Sequence, residues 1–127
     1  PPAAARMSRK DFHHLVQEAL DQVPPDFLPY LENVEIVVEN WAPISLLDEM
    51  GVPEDEDLYG LYQGTPLTER SHEYAQLPDR IVLYRCPLEE DFPDPEALRR
   101  EITITVLHEL AHHFGIEEER LKALGWD

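Results

Sequence analysis

Apolar residues near the start of the chain recur at the spacing of an amphipathic helix. Between Phe12 and Leu20 they fall three or four residues apart, which is the period of one helix face. Ser8 precedes this segment as a candidate N-cap, and Asp11 occupies the acidic position three residues later, as in a capping box. The pattern predicts a first helix that runs from this cap to about Asp21.

A second helical segment has clear start and stop signals. Asp94 followed by Pro95 is a typical helix start, with aspartate as the N-cap and proline as the first helical residue. Gly115 can take the left-handed conformation that ends a helix, and an acidic connector over residues 89–93 leads into the segment. Its apolar residues are Ile102, Ile104, Val106, Leu107, Leu110, Ala111 and Phe114. Because these residues point to nearly every side, the pattern predicts a buried helix.

Strand patterns account for much of the remaining apolar sequence. Residues 34–39 largely alternate between apolar and acidic positions, residues 58–64 form a short run that contains two glycines, and residues 79–85 form an apolar run between charged flanks. A short helical turn within 43–50 and a last helix over 117–124 complete the prediction. This order of elements indicates an α+β fold in which a small sheet, mixed or mainly antiparallel, packs on helices.

Length and charge narrow the classes of function. With 127 residues, the chain is expected to form a single domain over 8–127, preceded by a flexible segment over 1–7. The net charge of −17, from 10 basic and 27 acidic residues, argues against binding to nucleic acid or to anionic membranes. The sequence has no run of about 18 apolar residues and no recognisable secretory signal, so we expect a cytoplasmic location. The one cysteine, Cys86, cannot form an intrachain disulfide.

The candidate chemistry lies near the end of the long helix, in an HExxH motif that runs from His108 to His112. Residues four apart lie on one helix face, so both histidines can point ring nitrogens at one zinc ion. Glu109, rotated by about 100° from His108, would then lie beside a zinc-bound water and act as its general base. His113 is rotated away from His112 by the same angle and is not expected to join the site. Alternatively, both histidines are structural and bind backbone carbonyls.

A catalytic zinc site usually takes three protein ligands and leaves one position for water. Gly115 allows the chain to turn back after the helix, and Glu118 follows it by three residues. Glu118 is therefore the candidate third ligand, with Glu117 and Glu119 as competitors. All three glutamates could instead form the acidic first turn of the last helix, where they complement its dipole. Candidate donors to a reacting carbonyl oxygen are Arg70, His72 and Tyr74.

Three segments resemble the small bacterial zincin-like metallopeptidases, also called minimal zincins. They are residues 105–116, residues 60–70 and the strand that begins at Asp79. The resemblance implies a reduced zincin core, with a small sheet, an active-site helix and little else. It also implies an HExxHxxGxxD-like motif whose last acidic residue binds zinc. In this chain Glu118, which is one methylene longer, stands where aspartate is expected.

The sequence is compatible with three functions. The first is a zinc-dependent peptidase that hydrolyses a peptide or protein substrate, with Glu109 as the base and with His108, His112 and Glu118 as zinc ligands. The second is a non-catalytic domain of the same fold that binds a peptide, a protein partner or a metal without turnover. The third is a zinc hydrolase of small amides. For the peptidase, strand 80–85 is a candidate edge along which an extended peptide could add.

Overall fold

The first helix begins and ends where the sequence predicts. The computed structural model describes residues 7–53, 56–64 and 77–127, and its first helix, α1, spans Arg9–Asp21. The Ser8 side chain caps it by accepting a hydrogen bond from the Asp11 amide at 3.1 Å. The chain then forms a 3₁₀ turn, Pro25–Phe27, and a one-turn helix α2, Leu28–Leu31. These two short elements were not predicted from the sequence.

Three short strands form one mixed sheet within the described ranges: β1, Val34–Glu39; β2, Gly60–Gln63; and β3, Asp79–Tyr84. The strand β3 lies in the centre, with β1 parallel to it on one side and β2 antiparallel to it on the other. A short helix, α3, Ile44–Glu49, follows β1 in the chain. The predicted α+β class and mixed sheet are confirmed.

The central position of β3 changes where a peptide could add to the sheet. Because both edges of β3 are paired, the hypothesis that strand 80–85 receives an extended peptide is wrong. Among the described strands the two edges are β1 and β2, and β2 is the edge strand that contacts the long helix Pro95–Phe114. Tyr59 accepts a hydrogen bond from the Tyr84 amide at 2.8 Å, and the alternation of an antiparallel ladder then directs the backbone amide and carbonyl groups of Gly60 and Tyr62 away from β3.

A helix occupies most of the predicted acidic connector. Helix α4 spans Arg85–Asp91 and follows β3 directly. Pro87 lies in its first turn, where a missing amide hydrogen costs no helix hydrogen bond. Cys86 and Leu88 are buried and anchor the helix to the core. The connector prediction is therefore wrong up to residue 91, and the loop is limited to residues 92–94.

The long helix α5 spans Pro95–Phe114, between the Asp94 cap and Gly115, as predicted. One side of it packs against α1 and the sheet, and another against the 3₁₀ turn and the last helix, α6, Glu118–Ala123. Its buried apolar residues are Leu98, Ile102, Val106, Leu107, Leu110 and Ala111. This two-sided packing explains why its apolar residues point to nearly every side. Even so, no helix in the described part of the chain is long and apolar enough to cross a membrane.

Candidate functional site

The HExxH motif lies in the last two turns of α5, where the helix leaves the core. The side chain of His108 is 30% exposed and that of His112 is 68% exposed, while Glu109 is partly buried. The body of α5 is buried, whereas the turn that carries His112 is exposed, so a buried HExxH motif is not shown. This position leaves both histidines of the motif accessible from solvent.

The turn after α5 brings the next helix back towards the motif. Gly115 has a φ of 70°, the left-handed conformation that a glycine adopts without strain. Ile116 donates its amide hydrogen to the Ala111 carbonyl at 2.9 Å, which is the hydrogen bond of a Schellman motif. The side chains of these two residues pack in the same apolar group. This reversal places Glu118, the first residue of α6, beside the two histidines.

The Glu118 carboxylate lies close to both histidines of the motif. Its Oε1 atom is 3.8 Å from His108 Nδ1 and 3.9 Å from His112 Nε2. Glu117 is the N-cap residue of α6, and Glu119 is exposed; neither pairs with a histidine among the described residues. Of the three competing glutamates, Glu118 is thus the one that the fold brings to the motif.

These three side chains match zinc in their donor chemistry but do not form a closed ligand set. Two imidazoles and one carboxylate are the protein ligands of one class of catalytic zinc site. Ligand atoms in a tetrahedral site lie roughly 3.4 Å apart, so Glu118 would have to approach each histidine by about half an ångström. In the ranges that the structure describes, no group of three or more histidine, cysteine or acidic side chains is arranged to hold a metal ion. Zinc ligation by His108, His112 and Glu118 stays a prediction.

The Glu109 carboxylate is held by the edge strand β2. Its Oε1 atom accepts a hydrogen bond from the Tyr62 backbone amide at 2.9 Å, and an ionised acceptor makes such a bond stronger than a neutral one. The amide points away from β3, so its partner comes from α5 rather than from the sheet. Sequence reasoning missed Tyr62, because the contact joins residues 47 positions apart and the motif carries no signal for the strand that packs on it.

The Tyr62 side chain is held at both its ring and its hydroxyl group. The hydroxyl donates a hydrogen bond to Asp79 Oδ2 at 2.6 Å. The ring stacks on His113, with centroids 3.9 Å apart and planes tilted by 16°, and Phe114 meets it edge-on at 6.0 Å. His113 thus faces β2, as its rotation from His112 around the helix leads one to expect.

Two cavities flank β2 where it packs on α5. One has a volume of about 440 Å³ and the other about 400 Å³, within the size range of small-ligand sites. Gly60 and Glu109 line both cavities; His108 lines the larger and His112 the smaller. Glu109 therefore borders two spaces, with one histidine of the motif in each. The candidate donors to a reacting oxygen lie outside the described residues: Arg70, His72 and Tyr74.

Gly60 allows β2 to approach α5 closely. A Cβ atom at this position would lie 2.7 Å from Thr105 Cγ2 and 3.0 Å from the Val82 carbonyl oxygen. Thr105 is one helical turn before Glu109 on α5, so this contact sets the separation of strand and helix next to the motif. Sequence reasoning placed Gly60 in a short strand but did not predict its contact with the long helix.

The larger cavity has an acidic wall. The acidic residues that line it are Asp57, Glu101, Glu109 and Asp127. Burial raises the pKa of Glu101 above its ordinary value, and His108 offsets part of that increase. The Tyr59 hydroxyl, at the same cavity, donates a hydrogen bond to Asp91. Burial and this carboxylate raise the pKa of Tyr59 above its ordinary value.

Comparisons with known proteins bear on both the fold and the motif. The sequence profile of a family described as zincin-like metallopeptidase matches residues 31–126, a range that contains the sheet and both helices of the site. A solved structure of a conserved hypothetical protein from Thermus thermophilus is similar, with a TM-score of 0.56 and 27% sequence identity. That match covers 89% of this chain and 99% of the other. No curated protein sequence matches this chain.

Proposed function

This chain belongs to the zincin-like metallopeptidase family, and on that premise we propose that it is a zinc-dependent peptidase. In this proposal His108, His112 and Glu118 hold the zinc ion, and Glu109 is the general base. The observation that carries it is the approach of one Glu118 oxygen to within 3.9 Å of a ring nitrogen of each histidine. Two histidines on a helix can occur by chance, but a third donor from a separate helix is the complement that catalytic zinc requires.

Glu109 is placed to move the proton that hydrolysis requires. When bound, zinc would supply a Lewis acid that polarises a peptide carbonyl and makes water more acidic. With Oε1 held by the Tyr62 amide, the second carboxylate oxygen of Glu109, Oε2, is the atom that takes the proton from the attacking water. The same oxygen then returns it to the leaving amine nitrogen, so one carboxylate acts first as base and then as acid.

The substrate in this proposal is an extended peptide that adds to β2. The outward amide and carbonyl groups of Gly60 offer hydrogen bonds at the edge of the sheet, while the Tyr62 amide is already bound to Glu109. Strand addition gives affinity through the main chain and selectivity through pockets for alternate side chains. The two cavities that Glu109 borders would serve as those pockets.

Zinc titration of the metal-stripped protein by calorimetry is the first test. We expect one zinc per chain, with affinity lost in His112→Ala and kept in Glu109→Gln. His14→Ala, which removes an exposed histidine of α1, is the matched control and should bind zinc normally. A protein that binds no zinc, or binds it equally well in His112→Ala, would contradict the proposed ligand set.

Hydrolysis of a peptide library by the zinc-loaded protein is the second test. Chelation should abolish cleavage, and Glu109→Gln should lower it by about 10²–10⁴-fold, the usual contribution of a positioned general base. Tight zinc binding without cleavage of any peptide would contradict peptidase activity while leaving the metal site intact.

A non-catalytic domain of the same family is the second candidate. It is favoured by the finding that no closed group of metal-binding side chains occurs among the described residues. In that case a peptide or protein partner would bind the same edge of β2 without turnover. Peptide binding that is equal with and without chelator, and unchanged in Glu109→Gln, would support this candidate over the peptidase.

A further inference from the structure

Two residues one turn apart on α5 contact the same residue of β2. Glu109 accepts a hydrogen bond from the Tyr62 backbone amide, and His113, four positions later, stacks on the Tyr62 ring. We propose that His113 is a positioning residue: it clamps Tyr62 against α5 and so holds the Tyr62 amide, and through it the Glu109 carboxylate, in one place. The inference rests on the proposed role of Glu109 as general base.

The clamp acts on a residue that the sheet alone holds weakly. The strand β2 has four residues and lies at an edge of the sheet, and the Tyr62 amide points away from β3. Local opening is easiest where few buried contacts and exposed backbone hydrogen bonds occur together. The position of Tyr62 relative to α5 therefore depends on its side chain.

The side chain of Tyr62 is restrained from two different elements. Asp79, on the central strand, accepts the hydroxyl hydrogen bond at 2.6 Å and fixes the far end of the ring. His113, on α5, covers the ring face at 3.9 Å with a tilt of only 16°. Glu109 and His113 lie on one face of α5. One segment of this helix therefore carries both the proposed base, Glu109, and the imidazole ring that stacks on its hydrogen-bond partner, Tyr62.

The position of the carboxylate matters because proton transfer is short-ranged. A general base must lie within about 2.6–3.2 Å of the atom whose proton it takes. A displacement of about 1 Å in a catalytic group can cost on the order of a hundredfold in rate. A side chain that limits the motion of Glu109 therefore affects turnover without touching the substrate.

Amide hydrogen exchange tests the clamp without zinc or activity. The chain has five tyrosines, so ¹⁵N-tyrosine labelling gives few enough resonances to follow the Tyr62 amide. Glu109→Ala removes the acceptor and defines the exchange rate of the released amide. We expect His113→Ala to raise the Tyr62 rate towards that limit by about tenfold or more, the protection that a charged acceptor provides. His113→Phe keeps an aromatic face and should restore protection.

Two controls separate this effect from general loosening. His14→Ala removes another exposed histidine, far along the chain on α1, and should leave the Tyr62 rate unchanged. The Tyr84 amide donates to the Tyr59 carbonyl at 2.8 Å and reports on the pairing of β2 with β3. It should stay protected in every variant.

Three exchange results would overturn the proposal: an unchanged Tyr62 rate in His113→Ala, an equal loss of protection in His113→Phe, or a simultaneous loss at Tyr84.

In the zinc-loaded protein, His113→Ala should lower kcat while KM and zinc affinity stay unchanged. A parallel fall in zinc affinity would identify His113 as a ligand and would also overturn it. If wild type and variants alike cleave no peptide, the proposed function fails, whereas the exchange experiment still decides whether the clamp exists.

Discussion

Single side chains decide whether the motif can be completed. The family motif suggested by resemblance ends in aspartate, whereas this chain has Glu118. Glu118 begins α6, and its longer side chain brings one oxygen within 4 Å of both histidines, His108 and His112. The extra methylene group therefore does not take the carboxylate away from the motif.

Replacement of this glutamate should distinguish a ligand from a neighbour. We expect Glu118→Ala to weaken zinc binding by at least about a hundredfold, since removal of groups that only support a ligand already costs about 10–100-fold. Glu119→Ala, on the same helix, is the matched control. Equal affinities of the two variants in a calorimetric titration would remove Glu118 from the ligand set.

The separation of β2 from α5 depends on a single glycine. In Gly60→Ala the new Cβ would lie 2.7 Å from Thr105 Cγ2, so the strand must move, and overpacking of this kind costs about 1–3 kcal/mol. In Gly64→Ala the nearest atom, His113 Cε1, would be 3.6 Å away, which is ordinary contact. Urea unfolding should show a lower free energy of unfolding for the first variant only. Equal stabilities would mean that β2 is free to shift.

At the scale of elements, α5 both forms the core and presents the chemistry. Its body packs on α1 and the sheet, while side chains of its last two turns line the two cavities beside β2. Leu110 lies inside the motif and is fully buried, between partly exposed Glu109 and exposed His112. The core contact of this apolar position thus fixes the rotation of the helix and aims the polar side chains of the motif outward.

Truncation inside the motif should therefore act mainly on stability. We expect Leu110→Ala to lower the free energy of unfolding by about 2–5 kcal/mol, the usual cost of a large buried cavity. Leu124→Ala, at a position that is 45% exposed, should change it by less than about 0.5 kcal/mol. Thermal or urea unfolding measures both; similar effects of the two would contradict the buried face assigned to α5.

At the scale of the whole molecule, the dominant property is the charge of −17. Repulsion among like charges opposes the compact state, and salt screens it. We expect the melting temperature to rise by several degrees between about 10 mM and 150 mM sodium chloride, as the screening length falls from about 30 Å to about 8 Å. Potassium chloride should give the same increase. A melting temperature that falls with salt would show that attractive pairs, such as Arg99 with Glu18, outweigh the repulsion.

Local signals predicted the ends of the long elements. Helix ends are set by contacts within about four residues, as at the caps Ser8 and Asp94 and at the terminating Gly115. Such local contacts can be predicted from the sequence. Helices α2 and α4, which contain Pro29 and Pro87, were not predicted from the sequence. In the structure both prolines lie in first turns, where proline is tolerated. Whether a proline ends a helix or lies in its first turn depends on packing outside the local segment.

For the candidate site, the sequence alone determined which side chains could share one helix face. His108 and His112 are separated by one turn because covalent geometry sets the helix repeat. Only the tertiary structure decided that Glu118, and not its neighbours, returns to them, and that the Tyr62 amide holds Glu109. These contacts join residues on separate elements. Their geometry follows from the packing of α5 on the sheet and on α6, which no local pattern encodes.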